Sequence, residues 1–236
     1  MKDPGARRWS AHARPRTWNS ADLARSRLGV ELAVVLAAIW VPLFAWSVIG
    51  RIDPQELTAL SISGGLVWGV GMTALLVHLV WNRNGTLRPL GIRRTRWWAE
   101  ALWAVPIFVL LVAANRSAWQ LSRIFGWESL TWEKNLKPPR GLVAVLLPVY
   151  FLVSAAFEET FIRGYLWDRL RRTTRGKTRA LLLSSAFFAA YHPYPPLDLA
   201  VIFVSGLVLG LFFMRFRSLP RLVLAHAGLN IWIMYG

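Results

Sequence analysis

The sequence of 236 residues contains no cysteine. Disulfides, thiolate metal ligands and a cysteine nucleophile are therefore excluded. Acidic residues are also scarce, 12 against 28 lysines and arginines, which gives a formal net charge of +16. Only four histidines occur in the chain. Any catalytic site in this protein must therefore be built from a small set of carboxylates, histidines and hydroxyl or amide groups.

Apolar residues are abundant instead, at 55% of the chain with a mean hydropathy of +0.39. A soluble domain has about 45–50%. The excess is gathered into seven runs, and many of the 14 tryptophans lie near the ends of these runs, as is usual at membrane interfaces. The pattern predicts an all-α fold, a polytopic membrane helix bundle of about seven transmembrane helices. The predicted segments are Leu32–Gly50, Ala59–Trp81, Trp97–Ala114, Gly141–Leu166, Ala180–His192, Leu197–Phe216 and Leu222–Tyr235.

The fifth and seventh segments are shorter than the roughly 17–25 residues of a spanning helix, so they are expected to tilt or to cross only partly. If the N-terminus is cytoplasmic, the inner connections hold 21 lysines and arginines and the outer ones six. This asymmetry predicts a cytoplasmic N-terminus and an outside C-terminus. Residues 1–28 are then a basic cytoplasmic arm, and residues 29–236 form one membrane domain. The positive charge is explained by topology and by anionic lipid, so no nucleic-acid partner is expected.

The fourth segment carries charges where they are costly, by about 2.5–3.5 kcal/mol each on insertion scales. Glu158 and Glu159 are adjacent, so their side chains point about 100° apart around a helix. Arg163 lies four residues after Glu159 and can pair with it on one face. That leaves Glu158 free for acid–base chemistry. An ion pair that only fixes helix packing is the alternative. By contrast, Glu31 and Glu100, near predicted cytoplasmic ends, are expected to be structural.

Two further segments carry polar residues of the same kind. The fifth segment ends at His192, and the seventh contains His226 and Asn230, which share a helix face at a spacing of four residues. A single intramembrane histidine is commonly a packing residue. Two of them, with an asparagine and a pair of glutamates, indicate a site, and we predict that these side chains converge in one cavity.

These residues form three motifs in order: Glu158-Glu159-x-x-x-Arg163, Phe188-x-x-x-His192 and His226-x-x-x-Asn230. Together they resemble the signature of the CPBP family, the CAAX proteases and bacteriocin-processing enzymes that include the type II CAAX prenyl endopeptidase. The resemblance covers about residues 141–235. Earlier residues agree only in general character.

The resemblance implies an intramembrane endopeptidase acting on a membrane-associated protein or peptide. It implies that Glu158 and His192 activate a water, that His226 and Asn230 stabilise the oxyanion, and that Glu159 and Arg163 support them. A glutamate-type mechanism without a cofactor is favoured, and zinc held by Glu158, His192 and His226 stays open, although the HExxH pair is absent.

Two rival functions remain, a non-catalytic membrane scaffold or immunity factor of the same family and a small transporter with a proton relay. The expected location is a bacterial inner membrane. The sequence does not identify the substrate, its prenylation or the oligomeric state.

Overall fold

The computed structural model describes residues 27–39, 41, 59–93, 95–127, 140–192 and 194–235. Within these ranges all longer elements are helices, which confirms the all-α prediction. The first helix, α1, occupies residues 27–39. The others are α2 (Ala59–Asn84), α3 (Trp97–Phe125), α4 (Gly141–Glu159), α5 (Trp167–Thr174), α6 (Lys177–Ala190), α7 (Pro196–Phe216) and α8 (Leu219–Tyr235). The predicted basic arm lies outside the described residues, apart from residues 27 and 28.

Four helical stretches in the described part are long and apolar enough to cross a membrane: Ala59–Asn84, Trp97–Phe125, Gly141–Thr174 and Pro196–Phe216. Many large apolar side chains on them point outward, as expected of surfaces that face lipid. The fifth and seventh predicted segments are helices of 14 and 17 residues, at or below the lower limit for a span. The first predicted segment lies partly outside the described residues. The multi-pass bundle is thus confirmed, whereas seven full spans stays a prediction.

One boundary differs clearly from the prediction. The third segment was expected to end at Ala114, but α3 continues to Phe125 and stops at Gly126, whose left-handed conformation caps the helix. The apolar run ends at Asn115 and Arg116, yet the helix does not need apolar residues to continue. The side chain of Asn115 donates to the Leu111 carbonyl oxygen over 3.0 Å, so its amide is satisfied within the same helix.

Helix α4 lies at the centre of the bundle and contacts both α2 and α8. The close approach of α2 to α4 depends on two glycines of α2. A Cβ at Gly65 would lie 2.6 Å from the Tyr150 ring, and a Cβ at Gly69 would lie 2.9 Å from Val153. In lipid no hydrophobic driving force brings helices together, so small residues stabilise a helix interface by allowing close packing. The central position of α4 allows its polar residues to meet those of other helices.

Three basic connections meet at one end of the bundle. The backbone N–H of Leu219 donates to the Gly91 carbonyl oxygen over 3.2 Å, which joins the α7–α8 and α2–α3 connections. The guanidinium of Arg217 lies 4.8 Å from the centroid of the Trp167 ring at the start of α5. The connections that were assigned to the inner side of the membrane therefore share one end of the molecule.

Candidate active site

The site begins where α4 changes its hydrogen-bonding pattern. Seven residues, Thr160–Leu166, form a π-helical segment between α4 and α5, and the backbone N–H of Trp167 donates to the Ile162 carbonyl oxygen five residues earlier. Such segments are rare and occur frequently at functional sites. This one starts directly after Glu159 and contains Arg163. No sequence pattern considered above predicted it.

Glu159 and Arg163 form a buried ion pair with an N–O distance of 3.1 Å. The pairing predicted from their spacing is therefore confirmed. Arg163 also donates to the Gly206 carbonyl oxygen over 3.3 Å, and its guanidinium lies 4.4 Å from the centroid of the Phe188 ring. Because Arg163 has partners on α4, α6 and α7, it fixes the three helices around Glu159.

His226 of α8 lies between the two glutamates. Its Nδ1 is 2.8 Å from Glu159 Oε1, and its Nε2 is 3.6 Å from Glu158 Oε2. A carboxylate can only accept a hydrogen bond, so Nδ1 carries a hydrogen. Glu159 thereby sets the orientation of the imidazole and directs Nε2 towards Glu158.

Glu158 differs from its neighbour in exposure and in partners. Its side chain is 14% exposed, whereas that of Glu159 is 0% exposed. Ser154, one turn earlier, donates to Glu158 Oε1 over 3.0 Å. In the part of the chain that the structure describes, no lysine or arginine forms an ion pair with Glu158. Its carboxylate is thus oriented without being neutralised.

His192 lies in the turn after α6, since the helix ends at Ala190 and not at His192 as predicted. Its Nδ1 is 2.8 Å from the Phe188 carbonyl oxygen, so this nitrogen carries a hydrogen. In the neutral ring, Nε2 is left as a proton acceptor. The ring packs on Phe188 with a centroid distance of 5.4 Å, and His226 packs on the same phenyl ring at 5.7 Å. His192 is also close enough to Glu158 and His226 to interact electrostatically with both.

Asn230 follows His226 by one turn of α8 and is half-buried. Its side chain makes no hydrogen bond to any described residue. The structure therefore brings Glu158, Glu159, Arg163, His192 and His226 into one cluster around Phe188, while Asn230 is placed beside it only through its position on α8.

Two residues of the cluster were missed by the sequence analysis. The Tyr191 ring stacks on that of His192 with a centroid distance of 4.3 Å. Its buried hydroxyl has no hydrogen-bond partner in the described residues, although it lies within electrostatic range of Glu158. Ser154 could have been found from its spacing, four residues before Glu158. Nothing in the sequence indicated that Tyr191 would turn inward.

The zinc alternative requires Glu158, His192 and His226 to surround one ion. Among the described residues, no group of three or more histidines, aspartates and glutamates is arranged to hold a metal ion. Nδ1 of His226 is already occupied by Glu159, and its Nε2 lies 3.6 Å from Glu158 Oε2. The described residues as placed do not fit a three-ligand zinc site.

The family comparison falls on this same region. Residues 140–232 match the family model described as type II CAAX prenyl endopeptidase Rce1-like. This part of the chain is therefore similar to that family. The match contains all six motif residues and agrees closely with the predicted core at residues 141–235, so the resemblance read from the three motifs is confirmed.

No curated protein and no solved structure matches the chain significantly. The four apolar helices and the match over residues 140–232 support an integral, multi-pass membrane protein.

Proposed function

We propose that the protein is an intramembrane endopeptidase that hydrolyses a peptide bond in a membrane-associated protein or peptide, with Glu158 and His192 activating the water. One observation carries the proposal. Glu158 is the carboxylate of the cluster that has no guanidinium partner among the described residues, and two histidines lie around it. A carboxylate and a neutral imidazole near one point are suitable acceptors for a proton from water.

In the proposed reaction, the water loses a proton to Glu158 or to His192 Nε2, and its oxygen attacks the carbonyl carbon of the scissile bond. The carbonyl π electrons move to oxygen and form a tetrahedral oxyanion. When this intermediate collapses, the C–N bond breaks, and the nitrogen takes the proton held by the base. The sum is addition of one water to one peptide bond, with no nucleophilic serine or cysteine.

The oxyanion is assigned to His226 and Asn230. The Nδ1–H of His226 is occupied by Glu159, so Nε2 is the nitrogen that faces the Glu158 side of the cluster. To donate to the oxyanion, His226 must act as the imidazolium, in which Nε2 also carries a hydrogen. The Asn230 amide has no partner in the described structure and can donate without breaking an existing bond. Donors placed in advance around a developing charge cost little reorganisation, and one such donor contributes about 2.7–4 kcal/mol in studied enzymes.

Glu159 and Arg163 are proposed to act through His226. Their ion pair is fully buried, and Glu159 Oε1 contacts both Arg163 and His226. The pair thus positions the imidazole and touches neither water nor substrate. Residues in this role affect catalysis by keeping other groups in the productive geometry.

The N-terminus is proposed to be cytoplasmic and the C-terminus outside, in a bacterial inner membrane, from the distribution of basic residues. The substrate is then a protein or peptide held in the bilayer, and its sequence and any prenyl group are open. A non-catalytic scaffold is the competing function. A transporter is less well supported, because the described helices show no pair of broken helices of the kind that transporters use.

The test is to compare the N- and C-termini of all peptides in membranes of the native host expressing wild type or Glu158→Gln at equal folded amounts. Termini that appear only with the wild type support proteolysis and identify the substrate. Ser63→Ala, at an exposed position near the start of α2, is the expression control and should give the wild-type pattern. Identical termini for the wild type and Glu158→Gln, with both proteins inserted, would favour the scaffold.

A further inference from the structure

A cavity of about 260 Å³ lies at the basic end of the bundle, away from the candidate active site. It is lined by Trp167, Arg171, Lys177, Met214 and Arg217, from α5, from the start of α6 and from the end of α7. Its volume is slightly below the roughly 300–1,000 Å³ of typical small-molecule sites. The cavity can therefore admit a small group or one end of a larger molecule.

The lining carries three cations, and two of them have polar atoms without partners. Arg171 Nε and Arg217 Nη1 are buried from solvent and make no hydrogen bond to the described residues. Both guanidiniums contact the Trp167 ring, at 5.6 Å and 4.8 Å from its centroid. Buried donors are rarely left unsatisfied in native proteins. Their presence here indicates an acceptor that the described part of the polypeptide does not supply.

The nearby carboxylate does not neutralise this cluster. Asp168 contacts Arg171 at 3.3 Å, but it also pairs with Arg169 at 3.3 Å and with Arg172 at 2.9 Å. Burial holds the pKa of Arg217 below its usual value, and repulsion from Arg171 and Arg93 lowers it further, while Asp168 offsets part of the effect. A second negative charge is needed to balance the guanidiniums.

We propose that this cavity binds the phosphate group of an anionic membrane lipid. Guanidiniums suit a phosphate because their N–H groups match its oxygens in bidentate geometry. Basic pockets between helices at the membrane surface bind acidic head groups. The apolar side chains of Trp167 and Met214 complete a lining in which a glycerol or acyl portion can rest. The cavity is separate from the candidate active site, and lipid binding there does not depend on the proposed proteolysis.

The proposal is tested on the purified full-length protein by native mass spectrometry, with phosphatidylglycerol and phosphatidylcholine of the same acyl chains as probes. Wild type should bind phosphatidylglycerol about tenfold more tightly, since both lipids carry the phosphate but the choline cation of phosphatidylcholine cancels its charge and is repelled by the cationic lining. The double variant Arg171→Gln/Arg217→Gln should lose this preference. Lys177→Gln, whose side chain is exposed, should weaken it and keeps the test informative if the double variant does not fold.

The matched control is Arg179→Gln, which removes one exposed charge from the same end of the molecule without lining the cavity. It should bind phosphatidylglycerol within about twofold of the wild type, as expected for an exposed surface charge. An equal loss of phosphatidylglycerol affinity in Arg179→Gln would show that general surface charge binds the lipid, and it would overturn the proposal. Displacement of phosphatidylglycerol by millimolar inorganic phosphate would assign the cavity to free phosphate and would overturn the lipid assignment.

Discussion

Two regions of the described structure place carboxylates in largely buried surroundings and differ in charge balance. At the basic end, Asp168 pairs with three arginines, and Glu100 accepts from Ser218 and pairs with Arg221 at 3.1 Å. In the motif cluster, Arg163 pairs with Glu159, and no guanidinium in the described structure pairs with Glu158. The first region is neutral or positive around every acid. In the second, the described groups around Glu158 are the Ser154 hydroxyl, the Tyr191 hydroxyl and two histidines.

This difference is the basis of the proposed division between structural and catalytic carboxylates. Asp168 and Glu100 are fixed by guanidinium partners, whereas Glu158 has no such partner among the described residues and lies beside two imidazoles. In the sequence, Glu100 lies near a predicted cytoplasmic end, whereas Glu158 belongs to an adjacent pair within an apolar segment. Their different partners in the structure support the proposal that Glu158, and not Glu100, takes part in catalysis.

Among the variants of the two regions, His192→Ala is expected to cause the largest loss of cleavage rate. Loss of a proton acceptor beside Glu158 should lower cleavage of the substrate by about 10²–10⁴-fold. Stability should change little, because the ring lies in a turn and is only half-buried. The measurement is the cleavage rate per folded molecule. His78→Ala removes an exposed histidine from α2 and should retain the wild-type rate; equal rates for both variants would remove His192 from the mechanism.

Asn230→Ala is expected to lower cleavage by about 10²–10³-fold, the usual cost of losing one oxyanion donor. The amide makes no hydrogen bond to the described residues, so thermal stability should stay close to that of the wild type. Asn82→Ala on α2 is the matched control. If Asn230→Ala lowers stability and leaves the rate per folded molecule unchanged, the asparagine is a packing residue instead.

Glu159→Gln should act mainly on stability. Removing one partner of a fully buried pair leaves Arg163 uncompensated, which costs about 3–5 kcal/mol. We expect a large drop in the thermal transition of the detergent-solubilised protein. Arg163→Leu combined with Glu159→Leu should recover part of that stability, because neither charge is then left alone. No loss of stability in Glu159→Gln would contradict the buried pair.

The smallest effect on catalysis is expected from Glu100→Gln at the basic end. It weakens contacts to Ser218 and Arg221 and should cost about 1–3 kcal/mol of stability. The rate per folded molecule should be unchanged. A lower rate per folded molecule would show that the basic end is coupled to the motif cluster, and it would contradict a purely structural role for Glu100.

Much of this organisation is visible in the sequence. The lengths of the apolar runs predict the bundle, and the spacing of Glu159 and Arg163 predicts their pair. The boundary of α3 was not predictable from hydropathy, since Asn115 satisfies its own amide and lets the helix continue.

The π-helical segment and the inward turn of Tyr191 were also missed. Both depend on tertiary packing around Phe188, and local sequence carries no period that would reveal them. The lipid cavity was not foreseen either, because its residues come from three separate helices.

The endopeptidase proposal is tested most directly by comparing Glu158→Gln with Glu100→Gln on the same substrate, with cleavage normalised to the amount of folded protein. Glu158→Gln is expected to lose at least about 10²-fold in rate while keeping its stability. Glu100→Gln is expected to lose stability while keeping its rate. If the two variants instead lose activity only in proportion to their loss of folded protein, Glu158 is a structural acid, and the endopeptidase proposal is contradicted.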